Sequence, residues 1–221
     1  MSVVRPEFGP TLAEVVAPRV RALPRAGRLA FWALVAVLAA LVVLAAMLLV
    51  RGDDRAHVIV REPVAFNLVH GDGLGRVAPR GRETLRLQTP AGAAAPQVFA
   101  VTPMRLAPYK GDVTAALMGL TPRMIDRMRS ELPGFVWRGD GRVNINKQPG
   151  YEIIYQYRRD GRTTYGRRVM LVPDAETPPR EGVDITLVAR RSPAVPRVDA
   201  VGTEGQLRTA LRSLRFGTER P

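Results

Sequence analysis

The pattern of apolar and polar positions divides the chain into two unlike parts. Leu29 to Val50, LAFWALVAVLAALVVLAAMLLV, carries no charge, proline or glycine between Arg28 and Arg51. At about 1.5 Å per residue a helical run of this length covers roughly 33 Å, slightly more than the ~30 Å hydrocarbon core of a bilayer. A cleaved signal peptide has an apolar core of about 7–15 residues and a small-residue exit. Here the run is longer and ends on Met47-Leu48-Leu49-Val50, so the pattern predicts a transmembrane helix that is retained.

From His57 the pattern changes to short apolar runs between turn residues, which predicts β structure. His57–Val60 and Val64–Val69 read as strands interrupted by Pro63, followed by a glycine-rich loop at Gly71–Gly75. Glu83–Gln88 and Gln97–Met104 are further strands, joined by the small-residue stretch Pro90–Pro96. Asp112 caps a short helix, Val113–Met118, and Thr121-Pro122 starts a second, with Met124, Ile125, Met128 and Leu132 on one face. Phe135–Arg138 and Arg142–Asn146 form a hairpin about Gly139-Asp140-Gly141, and Pro149-Gly150 makes a turn.

The clearest alternation sets Tyr151, Ile153, Tyr155 and Tyr157 against Glu152, Ile154, Gln156 and Arg158, and continues after Asp160-Gly161 through Thr163, Tyr165, Arg167, Val169 and Leu171. A two-residue loop would set Glu152 opposite Val169. A three-residue loop, the preferred reading, sets Tyr151 opposite Val169 and Tyr155 opposite Tyr165. Val183, Ile185, Leu187 and Ala189 mark another half-buried strand. Thr203 with Gln206 has the spacing of a capping box before a closing helix that buries Leu207, Ala210, Leu211 and Leu214.

The predicted organisation is a disordered cytoplasmic tail (1–28), a transmembrane helix (29–50), a spacer (51–56), an extracytoplasmic α+β domain (57–217) and a short tail (218–221). The domain is a mainly antiparallel sheet packed with two or three helices. Orientation follows from flanking cations: Arg5, Arg19, Arg21, Arg25 and Arg28 precede the helix, against Arg51, Arg55 and Arg61 after it. Trp32 suits the headgroup level at the cytoplasmic end.

Charge sharpens the picture of partners. Lys and Arg number 33 against 20 Asp and Glu, a formal +13, and all the cations but Lys110 and Lys147 are arginine. Outside the cell such a surface meets anionic headgroups, an acidic envelope polymer or an envelope protein, and no nucleic acid is expected. Nucleic acid or inner-leaflet lipid becomes the partner only if the topology is inverted. With no cysteine, disulfides, thiolate metal sites and thiol nucleophiles are excluded.

The search for catalytic chemistry yields little. No Gly-x-Ser-x-Gly occurs, His57 and His70 stand on separate strands, and Gly71–Gly75 departs from a dinucleotide fingerprint at Arg76. No catalytic residue, metal ligand or cofactor is assigned, although Glu152 and Asp184 would be the acid–base pair of an envelope enzyme using carboxylate chemistry. The strongest candidate site is anionic recognition by Arg158, Arg159, Arg162, Arg167 and Arg168, interleaved with Tyr155, Tyr157 and Tyr165. Its bland counterpart is a solvated hairpin whose arginine stems cover its own tyrosines.

Gly150-Tyr151-Glu152-Ile153, Arg162, Tyr165-Gly166-Arg167, Leu171-Val172-Pro173 and Ser213-Leu214-Arg215-Phe216-Gly217 together resemble a family of actinobacterial single-pass membrane proteins. The resemblance covers residues 60–217. It implies a PsbP-like α/β/α sandwich, a closing helix that runs into a final short strand, and an envelope location. It carries over no functional residue. The sequence thus points to a membrane-anchored binding or scaffold module rather than an enzyme.

Overall fold

A computed structural model of the chain describes residues 24–50, 55–173 and 180–219. The predicted tail up to residue 23, most of the spacer and residues 220–221 lie outside the described residues. The chain forms two compact units, Met1–Gly52 and Asp53–Pro221.

The first unit contains α1, Arg25–Val50, 26 residues long. It begins before Leu29, because Arg25, Ala26 and Arg28 include good helix formers that the apolar criterion alone leaves out. Leu29, Trp32, Leu34 and Val42 are exposed, and no part of its most apolar stretch is buried in protein. Among the described residues one helix is therefore long and apolar enough to cross a membrane.

The second unit is an α+β domain. Its elements are β1 (Ala56–Val60), β2 (Phe66–His70), β3 (Gly75–Val77), β4 (Leu85–Gln88), β5 (Gln97–Arg105), α2 (Val113–Glu131), β6 (Val136–Ile145) and β7 (Gln148–Arg159). There follow β8 (Arg162–Leu171), β9 (Glu181–Arg190), a 3-10 turn (Val198–Ala200), α3 (Gly205–Ser213) and β10 (Arg215–Phe216). Seven strands pair antiparallel in the order β3-β4-β5-β9-β8-β7-β6, and β1-β2-β10 make a small second sheet.

Side-chain parity decides what covers each face of the large sheet. Leu85, Leu87, Phe99, Val101, Val169, Leu171 and Ile185 point to the side carrying the small sheet and α3, whose Leu207, Ala210, Leu211 and Leu214 are buried there as predicted. Tyr151, Ile153, Tyr155 and Tyr157 point the other way, toward Leu117, Met124 and Met128 of α2. The tyrosine alternation and the methionine stripe are therefore two halves of one contact. Ser213 ties α3 to β2, its hydroxyl accepting from the Val69 amide (2.8 Å) and donating to the Val69 carbonyl (2.9 Å).

Several local expectations are corrected. The two helices expected about Pro122 are one continuous helix. Asp112 caps it, its carboxylate accepting from the Thr114 amide at 2.9 Å. Pro122 removes the donor for the Met118 carbonyl, but both residues are exposed, and burial of Leu117, Thr121 and Met128 on either side of it holds the helix together. Gly139-Asp140-Gly141 lies inside the single strand β6, and the hairpin turns instead at Asn146-Lys147, both at positive φ (49° and 67°). Pro149 and Gly150 belong to β7.

The β7–β8 loop has two residues, not three. Arg159 pairs with Arg162, Glu152 with Val169 and Tyr155 with Gly166, because Asp160 (φ 51°) and Gly161 (φ 70°) supply the two left-handed positions of a type I′ turn. The capping box is absent as well. Glu204 is the N-cap without a side-chain capping bond, the Thr203 hydroxyl donates to the Asp199 carbonyl (2.6 Å), and the Gln206 side chain lies over Gly73.

Candidate anion-binding cleft

On the α2 side of the large sheet, α2 packs mainly on β6 and β7, away from β4, the start of β5 and the end of β9. A cleft of about 470 Å³ opens there. Its floor comes from inward positions of neighbouring strands, Arg86 and Gln88 on β4, Val98 on β5, Val188 and Arg190 on β9 and Thr164 on β8. The loop Pro90–Pro96 forms one wall and Arg159-Asp160 of the β7–β8 hairpin the other.

Backbone bonds fix both walls. Thr89 brackets the loop, its amide donating to the Gln97 carbonyl (3.1 Å) while its hydroxyl accepts from the Gln97 amide (3.0 Å). The Arg190 amide donates to the Pro96 carbonyl (3.1 Å), joining the loop to β9. The tight turn at Asp160-Gly161 sets the position of Arg159.

Four guanidinium groups, those of Arg80, Arg86, Arg159 and Arg190, line this cleft, against the carboxylates of Asp160 and the adjoining Glu83. Arg86 is the most constrained. Its side chain is 10% exposed, and Nη1 donates to Glu83 at 2.8 Å. Its buried Nε has no hydrogen-bond partner among the described residues. A buried donor without an acceptor costs about 1–3 kcal/mol, and Arg86 is the residue of the cleft lining that carries one. Tyr157, at the hairpin wall, has its phenol pKa pushed up by burial, partly opposed by the charge and hydrogen bond of Arg159.

The five arginines singled out in the sequence are distributed rather than gathered. Arg158, Arg159 and Arg162 are exposed at the hairpin end, and of these Arg159 lines the cleft. Arg167 and Arg168 point to opposite faces of the sheet. Arg167 donates through Nε (2.9 Å) and Nη2 (2.6 Å) to Glu152, and through Nη1 to the Val201 carbonyl (3.0 Å). Arg168 grips Asp184 through Nε (2.8 and 2.9 Å) and Nη2. Burial opposes the Arg168 charge, but the bonds and charge of Asp184 outweigh it and raise its pKa.

These pairings also separate Glu152 from Asp184, so the two carboxylates expected to serve as acid and base lie on opposite faces, each held by its own arginine. Among the described residues no group of three or more acids and histidines is placed to hold a metal. Arg80, Arg86 and Arg190 escaped sequence reasoning, which weighed only cations adjacent in the chain. The available signal was Arg86 between Leu85 and Leu87, a charge inside an apolar strand ahead of a small-residue loop.

No protein-family model matches the chain, and no curated protein matches it in sequence. Among solved structures, LpqN, involved in cell envelope biogenesis of Mycobacterium tuberculosis, superposes with a TM-score of 0.50 at 13% identity, covering 75% of this chain and 93% of its own. The cyanobacterial PsbP (CyanoP) of Synechocystis sp. PCC 6803 superposes with a TM-score of 0.49 at 10% identity, covering 74% of this chain and 92% of its own. At such identities the likeness to LpqN is one of fold.

Proposed function

We propose that the chain is a membrane-anchored binding module of the cell envelope whose Arg86-centred cleft takes an anionic group, a phosphate or carboxylate, of an acidic envelope polymer or partner protein. The observation that carries this reading is the buried Arg86 Nε, without a partner among the described residues, on a residue that lines one cleft with Arg80, Arg159 and Arg190. Guanidinium forks match planar and tetrahedral oxyanions, and partial exclusion of water strengthens each contact. Arg158 and Arg162 add long-range attraction at the hairpin end, while Arg167 and Arg168 serve the fold through their own carboxylates.

In this reading residues 1–28 lie in the cytoplasm, α1 crosses the bilayer, and the α+β domain works outside. The arginines ahead of the apolar run support that orientation, and an apolar helix with no buried stretch supports the anchor. The single-pass topology and envelope role also agree with the actinobacterial family that the sequence resembles. A periplasmic-active phosphatase fused after Pro221 tests orientation: activity is expected, and cytoplasmic fluorescence from a matched fusion without it would reverse the topology.

The cleft is tested on the full chain in nanodiscs of zwitterionic lipid, with inorganic pyrophosphate and polygalacturonate as probes. Saturable binding that weakens with added salt is expected, with Arg86→Met and Arg159→Gln each reducing it severalfold. Equal retention by these variants and the unaltered chain would remove the cleft from the proposal.

A further inference from the structure

A second site lies at the far edge of the same sheet face, between α2 and β6. A groove of about 390 Å³ is lined by Met118, Thr121, Pro122 and Ile125 of α2, and by Trp137 and Asp140 of β6, with Tyr151 of β7 beneath. It owes its existence to a β-bulge. The β6–β7 register shifts between Trp137 and Gly139, so Trp137 pairs with Tyr155 and Asp140 with Ile153. One extra residue lets side chains three apart share a face. Without it, Trp137 and Asp140 would point to opposite sides of the strand.

The groove pairs an apolar platform with unspent polar capacity. Trp137 is 50% exposed, an unusual state for an indole with nothing packed on its outer side, and Met118 beside it is 56% exposed. Thr121 is 4% exposed, and its buried hydroxyl has no partner among the described residues. The Tyr151 hydroxyl donates to Asp140 Oδ2 at 2.5 Å, which fixes the carboxylate and occupies one of its roughly four acceptor sites. At the rim Asp126 accepts from Arg129 at 2.7 Å, which leaves little net charge there.

From these features we infer that the groove is a binding site for a neutral saccharide. A sugar ring has one face of C–H groups, which pack on the electron-rich face of an indole, and a rim of hydroxyls that both donate and accept. Trp137 and Met118 supply the platform, Asp140 accepts from ring hydroxyls, and the Thr121 hydroxyl gains the partner it lacks. An aliphatic chain would seal Asp140 from water without bonding it and would offer the Thr121 hydroxyl no partner. An anion would face the carboxylate of Asp140, since Asp126 is already balanced by Arg129. This inference is independent of the Arg86 cleft, which shares no lining residue with the groove.

The chain has two tryptophans, Trp32 and Trp137, so Trp32→Phe leaves Trp137 as the sole emitter. The full-length variant in zwitterionic nanodiscs is titrated with maltose, cellobiose and N,N′-diacetylchitobiose while indole emission is followed. A saturable change with at least one disaccharide is expected, weakened about tenfold by Asp140→Asn or by the isosteric Thr121→Val, and unchanged by Arg86→Met. No saturable response to any of the three, or affinities indifferent to both groove substitutions, would overturn the assignment. So would displacement of the bound sugar by 1-octanol with equal or higher affinity. Because Thr121→Val preserves shape, a folded variant with lost binding distinguishes recognition from collapse of the groove.

Discussion

Tyr155 packs its ring over Gly166, its direct partner across the β7–β8 ladder, so closely that a methyl on Gly166 would lie 2.2 Å from the ring carbon Cζ. The contact needs both the glycine and the two-residue turn, since a slip by one residue would present Tyr165 to the ring instead. Gly166→Ala is expected to destabilise the domain by about 1–3 kcal/mol, the usual cost of overpacking a filled core. Chemical unfolding checks this. Combining the change with Tyr155→Leu should recover part of the loss, whereas full additivity would place the strain elsewhere.

The Arg167–Glu152 pair gives a second expectation. Both side chains are nearly buried, at 10% and 15% exposure, and Arg167 also holds the Val201 carbonyl. Replacing Arg167 by Met strands the carboxylate, for an expected loss of about 3–5 kcal/mol, and replacing both partners by Met should be much milder. Anion binding at the Arg86 cleft should survive in every variant that folds. Loss of binding in the folded double variant would return Arg167 to the recognition surface.

These two contacts show what the sequence could and could not disclose. Alternation through Tyr151, Ile153, Tyr155 and Tyr157, and the spacing of Leu207, Ala210, Leu211 and Leu214, are local signals, and both predicted the buried face. The helix at Leu29–Val50 was legible for the same reason. Pairing is not local. The choice of partner for Arg167 depends on register, which turned on one residue of loop length at Asp160-Gly161. Gly139-Asp140-Gly141 imitates a hairpin turn in composition, while the turn that forms uses Asn146-Lys147. The basic cleft gathers residues from five strands and three connecting segments, a proximity that adjacency in the chain cannot reveal.

Asn146 gives a third prediction, because one side chain closes two elements. From the β6–β7 turn its amide donates to the carbonyls of Arg212 (2.6 Å) and Leu214 (2.8 Å), at the end of α3. These are carbonyls that a terminating helix leaves without internal donors. Asn146→Ala should cost about 1–3 kcal/mol, including the poorer tolerance of alanine for φ of 49°. Asn146→Gly separates the parts: it relieves the backbone and keeps only the bond loss. If the glycine variant matches the unaltered protein in thermal unfolding, the bonds to α3 contribute nothing.

Alkaline pH provides a fourth expectation. Burial raises the pKa of Tyr155 above the ordinary phenol value of 10.0, with Tyr157 adding to the effect, and burial raises Tyr157 as well. A group with a raised folded pKa contributes stability that is intact below the unfolded value and is lost as pH climbs toward the folded one. Stability should therefore fall above about pH 10, by up to about 1.4 kcal/mol per pH unit for each such tyrosine. Tyr155→Phe should flatten that decline while leaving neutral-pH stability nearly intact. An unchanged slope in the variant would mean that the Tyr155 phenol ionises as readily in the folded chain as in the unfolded one.

The last expectation links the cleft to the fold. A ligand that binds the native state alone stabilises it by RT ln(1 + [L]/Kd), about 2.7 kcal/mol at one hundred times Kd. The native cleft assembles Arg86, Arg159 and Arg190 from strands far apart in sequence, an arrangement that unfolding disperses. Pyrophosphate should therefore raise the unfolding midpoint, and chloride at matched ionic strength should raise it less, because chloride cannot engage the guanidinium fork through several oxygens. In Arg86→Met the pyrophosphate-specific part should vanish, since Nε is gone and Glu83 keeps only the Arg80 amide at 2.8 Å. A pyrophosphate shift of the same size in that variant, or one reproduced in full by chloride, would mean that general charge screening across a basic surface explains the anion response without the cleft.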